Sequence, residues 1–135
     1  MDRFLDNINC DVNGLSPLTL AFVGDAVFEL LVREKLVCEA NRPVGKLHSL
    51  TVQQVKAVAQ AKALRKIMPV LSERELYIVK RGRNANTTHT PKGSSSEEYH
   101  YSTGFEMLFG YLYLTGEIER IRELFCETLQ NTETS

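Results

Sequence analysis

The sequence predicts an all-α fold. Apolar residues recur at helical spacing in successive segments, helix-start signals precede several of them, and no two segments read as a strand pair. With 135 residues, 43% of them apolar and 24% charged, the chain suits one domain spanning residues 1–135.

Ser16-Pro17 marks the first helix. A serine caps free N–H groups, and proline fits the first helical position. The helix is expected to run to about Leu36. Leu20, Val23, Val27 and Leu30 form one apolar stripe; Leu18, Phe22 and Val32 lie on the other side, around Asp25. A helix apolar on several sides is central. Gly24 in its middle costs about 1 kcal/mol relative to alanine, which a closely packed neighbour would justify.

Asn41-Arg42-Pro43 is a break. A short helix over residues 44–50 and a longer one over 52–68 follow, the second carrying Lys56, Lys62, Arg65 and Lys66 and ending at Met68-Pro69. Ser72-Glu73-Arg74-Glu75 is a capping box. Its helix bears Leu76, Ile78 and Val79 and leads into Lys80-Arg81-Gly82-Arg83-Asn84. Residues 85–100 are polar and read as a loop of a length that is often functional. Ser102 or Thr103 then caps a helix bearing Glu106, which runs to about Leu114. After Thr115-Gly116, residues 117–129 form an amphipathic helix, and residues 130–135 are a polar tail.

Net charge is −1, but it is unevenly spread: −4 over residues 1–40, +9 over 41–96 and −6 over 97–135. A basic middle segment can present a phosphate-binding face, or simply solvate its helices. Cys10, Cys38 and Cys126 form no CxxC pair and suit neither a zinc site nor a disulfide framework. Reduced thiols in the cytoplasm are the expectation. The acidic start lacks an apolar signal core, and Asp25 and Glu29 break the longest apolar run, so no membrane span is expected.

Asp25 and Glu106 carry the chemistry. Each lies on an apolar helix near a glycine. Burying a carboxylate without a partner is expensive, so two such acids suggest a cation between them. A hard divalent metal, taking oxygen ligands and keeping a free coordination position for phosphodiester cleavage, is the simplest candidate. Capping, a polar network or pairing with an arginine are the plainer alternatives. In the basic cluster, Lys80, Arg81 and Arg83 can neutralise phosphates and Asn84 can hydrogen-bond a sugar or phosphate oxygen. A basic helix end favoured by the helix dipole is the plainer account there. Gly82 is read as a place where the backbone turns. His48, His89 and His100 fit no ligand spacing. Tyr101 is a candidate RNA contact, whereas Tyr111 and Tyr113 suit core packing.

The segments Phe22-Val23-Gly24-Asp25-Ala26-Val27-Phe28 and Ser102-Thr103-Gly104-Phe105-Glu106-Met107-Leu108 resemble the two acidic helices of the ribonuclease III catalytic domain. Lys80-Arg81-Gly82-Arg83-Asn84-Ala85 and Tyr101-Ser102-Thr103 are similar to the Mini-III subgroup, which consists of that domain alone. The resemblance covers residues 14–129 and implies a ribonuclease III-like all-α endonuclease domain. It implies a homodimer with double-stranded RNA lying across two metal-dependent sites, and no membrane partner. Asp25 and Glu106 would be the catalytic, metal-holding acids, with Mg2+ as the cofactor and Mn2+ as a substitute. Lys80, Arg81, Arg83, Asn84 and Lys92 would contact RNA. The implied substrate is the precursor of large-subunit (23S) ribosomal RNA, cut to leave 3′-hydroxyl and 5′-phosphate ends.

Full-length ribonucleases III carry two further acids, for which this chain has Ala21, four residues before Asp25, and Thr103, three before Glu106. The subgroup shows the same reduction. No second domain for gripping RNA is expected, so affinity is expected from the basic middle and a doubled surface. Two rival readings stay open: a ribonuclease III-like module that binds RNA without cutting, and a purely structural helical dimer.

Overall fold

The computed structural model describes residues 3–85 and 96–130, and the helix that organises them is the one bearing Glu106. Six α-helices are formed among the described residues: α1 (Pro17–Glu39), α2 (Val44–Val55), α3 (Ala57–Ile67), α4 (Glu73–Arg83), α5 (Ser96–Leu114) and α6 (Ile118–Thr128). No strand occurs among those residues. Helix α5 packs against α1, α3, α4 and α6.

The caps act as the sequence predicts. Ser16 Oγ accepts from Thr19 N at 3.2 Å, and Pro17 opens α1. In the Ser72 capping box, Glu75 N donates to Ser72 Oγ at 3.1 Å and Ser72 N to Glu75 Oε1 at 2.9 Å. Glu75, only 7% exposed, also receives Arg120 Nε and Nη2, both at 2.8 Å, which ties α6 to the start of α4. Gly116, with φ 79°, closes α5: Gly116 N donates to Tyr113 O and Glu117 N to Leu112 O. That pair of bonds is a Schellman ending, which needs a left-handed residue.

Two boundaries and the facing of one helix differ from expectation. Helix α2 continues to Val55, and its break with α3 falls at Lys56, whose backbone is extended. Helix α5 begins at Ser96, so residues 96–100 are helical and not loop. Ser102 and Thr103 are therefore not caps. They are buried in mid-helix, and both hydroxyls donate to the Tyr99 carbonyl, at 2.8 and 3.1 Å. The third is a matter of facing: α1 buries Leu20, Ala21, Gly24, Phe28, Val32 and Leu36, while Phe22 is 79% and Leu30 51% exposed.

Phe28 anchors the core, meeting Phe105, Phe109 and Phe125 edge-on at 4.9, 5.8 and 5.9 Å between centroids. Such arrangements match the aromatic quadrupoles. Around them, Leu64, Ile67, Ile78, Leu108 and Leu124 are fully buried.

Two glycine pairs set how closely the helices approach. A Cβ on Gly24 would lie 1.6 Å from the Glu106 carbonyl oxygen, and one on Gly110 1.9 Å from the Leu20 carbonyl oxygen. Helices α1 and α5 thus cross backbone against backbone, which explains the glycine inside α1. On another side of α5, a Cβ on Gly82 would come within 2.7 Å of Gly104 Cα. Gly82 is buried within α4 and makes no turn; its role is this close approach.

Candidate active site

The α1–α5 crossing creates the site. Because Gly24 rests on the main chain of Glu106, the next residue on α1, Asp25, is brought within hydrogen-bonding reach of the Glu106 side chain. Asp25 is exposed and Glu106 half-buried. The expected pair of buried acids is thus one acid at the surface and one beneath it. Burial, with the adjacent Asp25 carboxylate and its hydrogen bond, pushes the Glu106 carboxyl up to about 8. Gln60, on α3, opposes this by donating Nε2 to Glu106 Oε2 at 3.2 Å. The share of this shift that comes from the neighbouring Asp25 carboxylate is the share that a cation between the two acids would relieve.

Two carboxylates, one of them steadied by the Gln60 N–H, form an oxygen donor pair open on the Asp25 side, which fits a hard divalent cation. No group of three or more His, Cys, Asp or Glu able to hold a metal occurs among the described residues. A bound ion would therefore draw its other ligands from water and substrate. Ala21 and Thr103 are buried and supply no charge, and the Thr103 hydroxyl is committed to Tyr99.

The predicted basic cluster is split. Lys80, on α4, and Asn84, just past its end, are exposed and one turn apart, and Arg81 is half-buried. Arg83 turns toward α5, its guanidinium 4.3 Å from the centre of the Tyr101 ring. Arg65, from α3, lies 4.6 Å from the same ring and 3.7 Å from Glu97. Arg65 was not among the expected contacts; charge spacing along α3 gives no sign that it shares the Tyr101 ring with Arg83. Lys92 and His89 lie outside the described residues. His48 is exposed, and His100 has a buried Nδ1 without a hydrogen-bond partner. Tyr111 and Tyr113 are only half-buried, and their hydroxyls accept from Arg74 and from Phe4 N.

The ribonuclease III domain matches residues 18–117, which include both acidic helices and the basic segment between them. This chain belongs to the ribonuclease III family. A Mini-ribonuclease 3 from Thermoanaerobacter is 51% identical over 98% of this chain and 96% of its own length. The Mini-ribonuclease 3 of Symbiobacterium thermophilum is 48% identical, covering 82% of this chain and 85% of the relative. A crystal structure of a Fusobacterium nucleatum protein superimposes with a TM-score of 0.81 at 29% identity, covering 91% of this chain and all of that one. Ribonuclease III membership makes the chain an endoribonuclease, a hydrolase of phosphodiester bonds. No helix among the described residues is long and apolar enough to cross a membrane.

Proposed function

We propose that this endoribonuclease cleaves double-stranded RNA with Mg2+, or Mn2+ in its place, held by Asp25 and Glu106. We further propose that it acts as a cytoplasmic homodimer on precursor 23S ribosomal RNA. The observation that carries the reading is the meeting of Asp25 and Glu106 at the glycine-mediated crossing.

When bound, the ion activates water and stabilises charge on the phosphate. The chain's own residues do the rest. Asp25 and Glu106 set two carboxylates side by side at the crossing. Arg83 and Arg65 flank Tyr101, five residues or about 7.5 Å of helix rise before Glu106. The Arg83 guanidinium lies over the Tyr101 ring, a placement from which its charge can meet a phosphate. Lys80, Arg81 and Asn84 extend the contact along α4, with Lys92 in the following segment. Contacts of this kind recognise backbone and A-form shape more than base sequence.

The homodimer is supported by the outer face of α1, where Leu18, Phe22 and Leu30 are 45%, 79% and 51% exposed. Beside it is a cavity of about 460 Å³ lined by Phe4, Val23, Val27 and Tyr113. A second copy would cover this apolar surface. The ribosomal substrate rests on the resemblance to the Mini-III subgroup.

The test is cleavage of a long, perfectly paired RNA at low salt, in Mg2+ or EDTA, by wild type and Asp25→Asn. Cutting that needs Mg2+ and vanishes in Asp25→Asn is expected. Binding without cutting by wild type would overturn the reading in favour of an RNA-binding module. Processing of a 23S precursor transcript, and mass in solution for wild type and Phe22→Glu, test the substrate and the dimer.

A further inference from the structure

Gln60 is a polar residue in a position built for an apolar one. It is 1% exposed in the first turn of α3, beside the buried Ala61 and Leu64. Its Nε2 donates twice: to the Val55 carbonyl at 2.9 Å and to Glu106 Oε2 at 3.2 Å. The Val55 carbonyl belongs to the last residue of α2 and can only accept. It therefore fixes the amide orientation, because a flipped amide would set its oxygen against that carbonyl. The extended backbone at Lys56 puts that carbonyl within reach.

Gln60 Oε1 is buried and has no hydrogen-bond partner. A buried acceptor left unpaired is destabilising. Methionine would fill a similar volume without that oxygen. What the amide supplies in return is a donor fixed at one end by the main chain and aimed at one oxygen of Glu106.

We infer that Gln60 is a positioning residue of the acid site: its N–H holds Oε2 of Glu106 and leaves the other carboxylate oxygen, with Asp25, to meet the divalent cation. The inference rests on the reading of Asp25 and Glu106 as a cation-holding pair. Glu106 reaches the site on a flexible side chain, and a donor to one carboxylate oxygen removes rotamers that face away. Such supporting hydrogen bonds set the affinity of metal sites. A Gln60 that merely secured the α2–α3 break would leave cation affinity alone.

The experiment is Mn2+ titration followed by electron paramagnetic resonance, without RNA, on the full chain. Wild type, Gln60→Met, Gln60→Asn and Asp25→Asn are compared well below the melting point of each. Both Gln60 variants remove the bond to Glu106, so if Gln60→Met does not fold, the shorter Gln60→Asn decides. The folded variant is expected to bind Mn2+ about tenfold or more weakly than wild type. Wild-type Mn2+ affinity in a folded Gln60 variant, with affinity lost in Asp25→Asn, would overturn the positioning role and spare the metal reading. Unchanged affinity in Asp25→Asn would overturn the metal reading itself, and the Gln60 inference with it.

Discussion

Glu106→Gln is expected to make the metal-free protein more stable at high pH. The Glu106 carboxyl is held to about 8 against an ordinary value of 4.5. The folded state therefore binds this proton more tightly than the unfolded chain does, and stability falls as pH rises between those two values. For one group with these values, the loss between pH 5 and pH 9 is on the order of 4 kcal/mol. Glutamine is neutral throughout, can accept from Gln60 and can donate to Asp25. The variant should match wild type within about 1 kcal/mol at pH 5 and exceed it by on the order of 4 kcal/mol at pH 9. Urea unfolding in EDTA reads this as a midpoint raised by about 2 M at pH 9 only. Mg2+ should restore wild type at pH 9 and do little for the variant, since a ligand stabilises only the state it binds. Parallel pH dependence in the two proteins would refute the placement of this proton on Glu106.

Three other outcomes follow from the geometry. Gly24→Ala should lower stability by about 3 kcal/mol or more, seen in chemical unfolding, because its Cβ would overlap the Glu106 carbonyl oxygen and the nearest atoms are main chain. Arg120→Ala should cost about 3 kcal/mol in the same assay, since it strips the buried Glu75 of two hydrogen bonds and leaves Ser72 as its support. Arg65→Ala and Arg83→Ala should each weaken RNA binding in EDTA and reduce the slope of log affinity against log salt by about 1; an unchanged slope removes that residue from the phosphate contacts.

The parts of the molecule that local chemistry decides were legible in the sequence. Ser16-Pro17 and the Ser72 box set helix starts through bonds within four residues, so their residue types announce them. Gly24 announced a close crossing because a glycine inside an apolar helix is unfavourable without one. Ser102 and Thr103 misled for a related reason. Hydroxyl side chains cap helices but also bond back to a carbonyl one turn earlier, and only the preceding turn distinguishes the two. The break at Lys56 carries neither glycine nor proline and depends on how α2 and α3 pack. At the site, Asp25 and Glu106 stood out against their apolar neighbours. Gln60 and Arg65 did not, because glutamine and arginine are ordinary in a helix and their meaning comes from the partner across the gap.

The glycine crossing has a consequence for how the molecule opens. Elements that breathe independently expose their amides by local fluctuation, whereas elements locked into the core exchange only when the whole domain unfolds. Asp25 and Glu106 meet where two main chains touch, on helices that also bury Phe28, Phe105 and Phe109. The amides around Gly24 and Glu106 should therefore be among the slowest to exchange with deuterium, and their rates should track global stability. Separating the two acids would require melting the core, so a folded population with a disassembled site should be vanishingly rare.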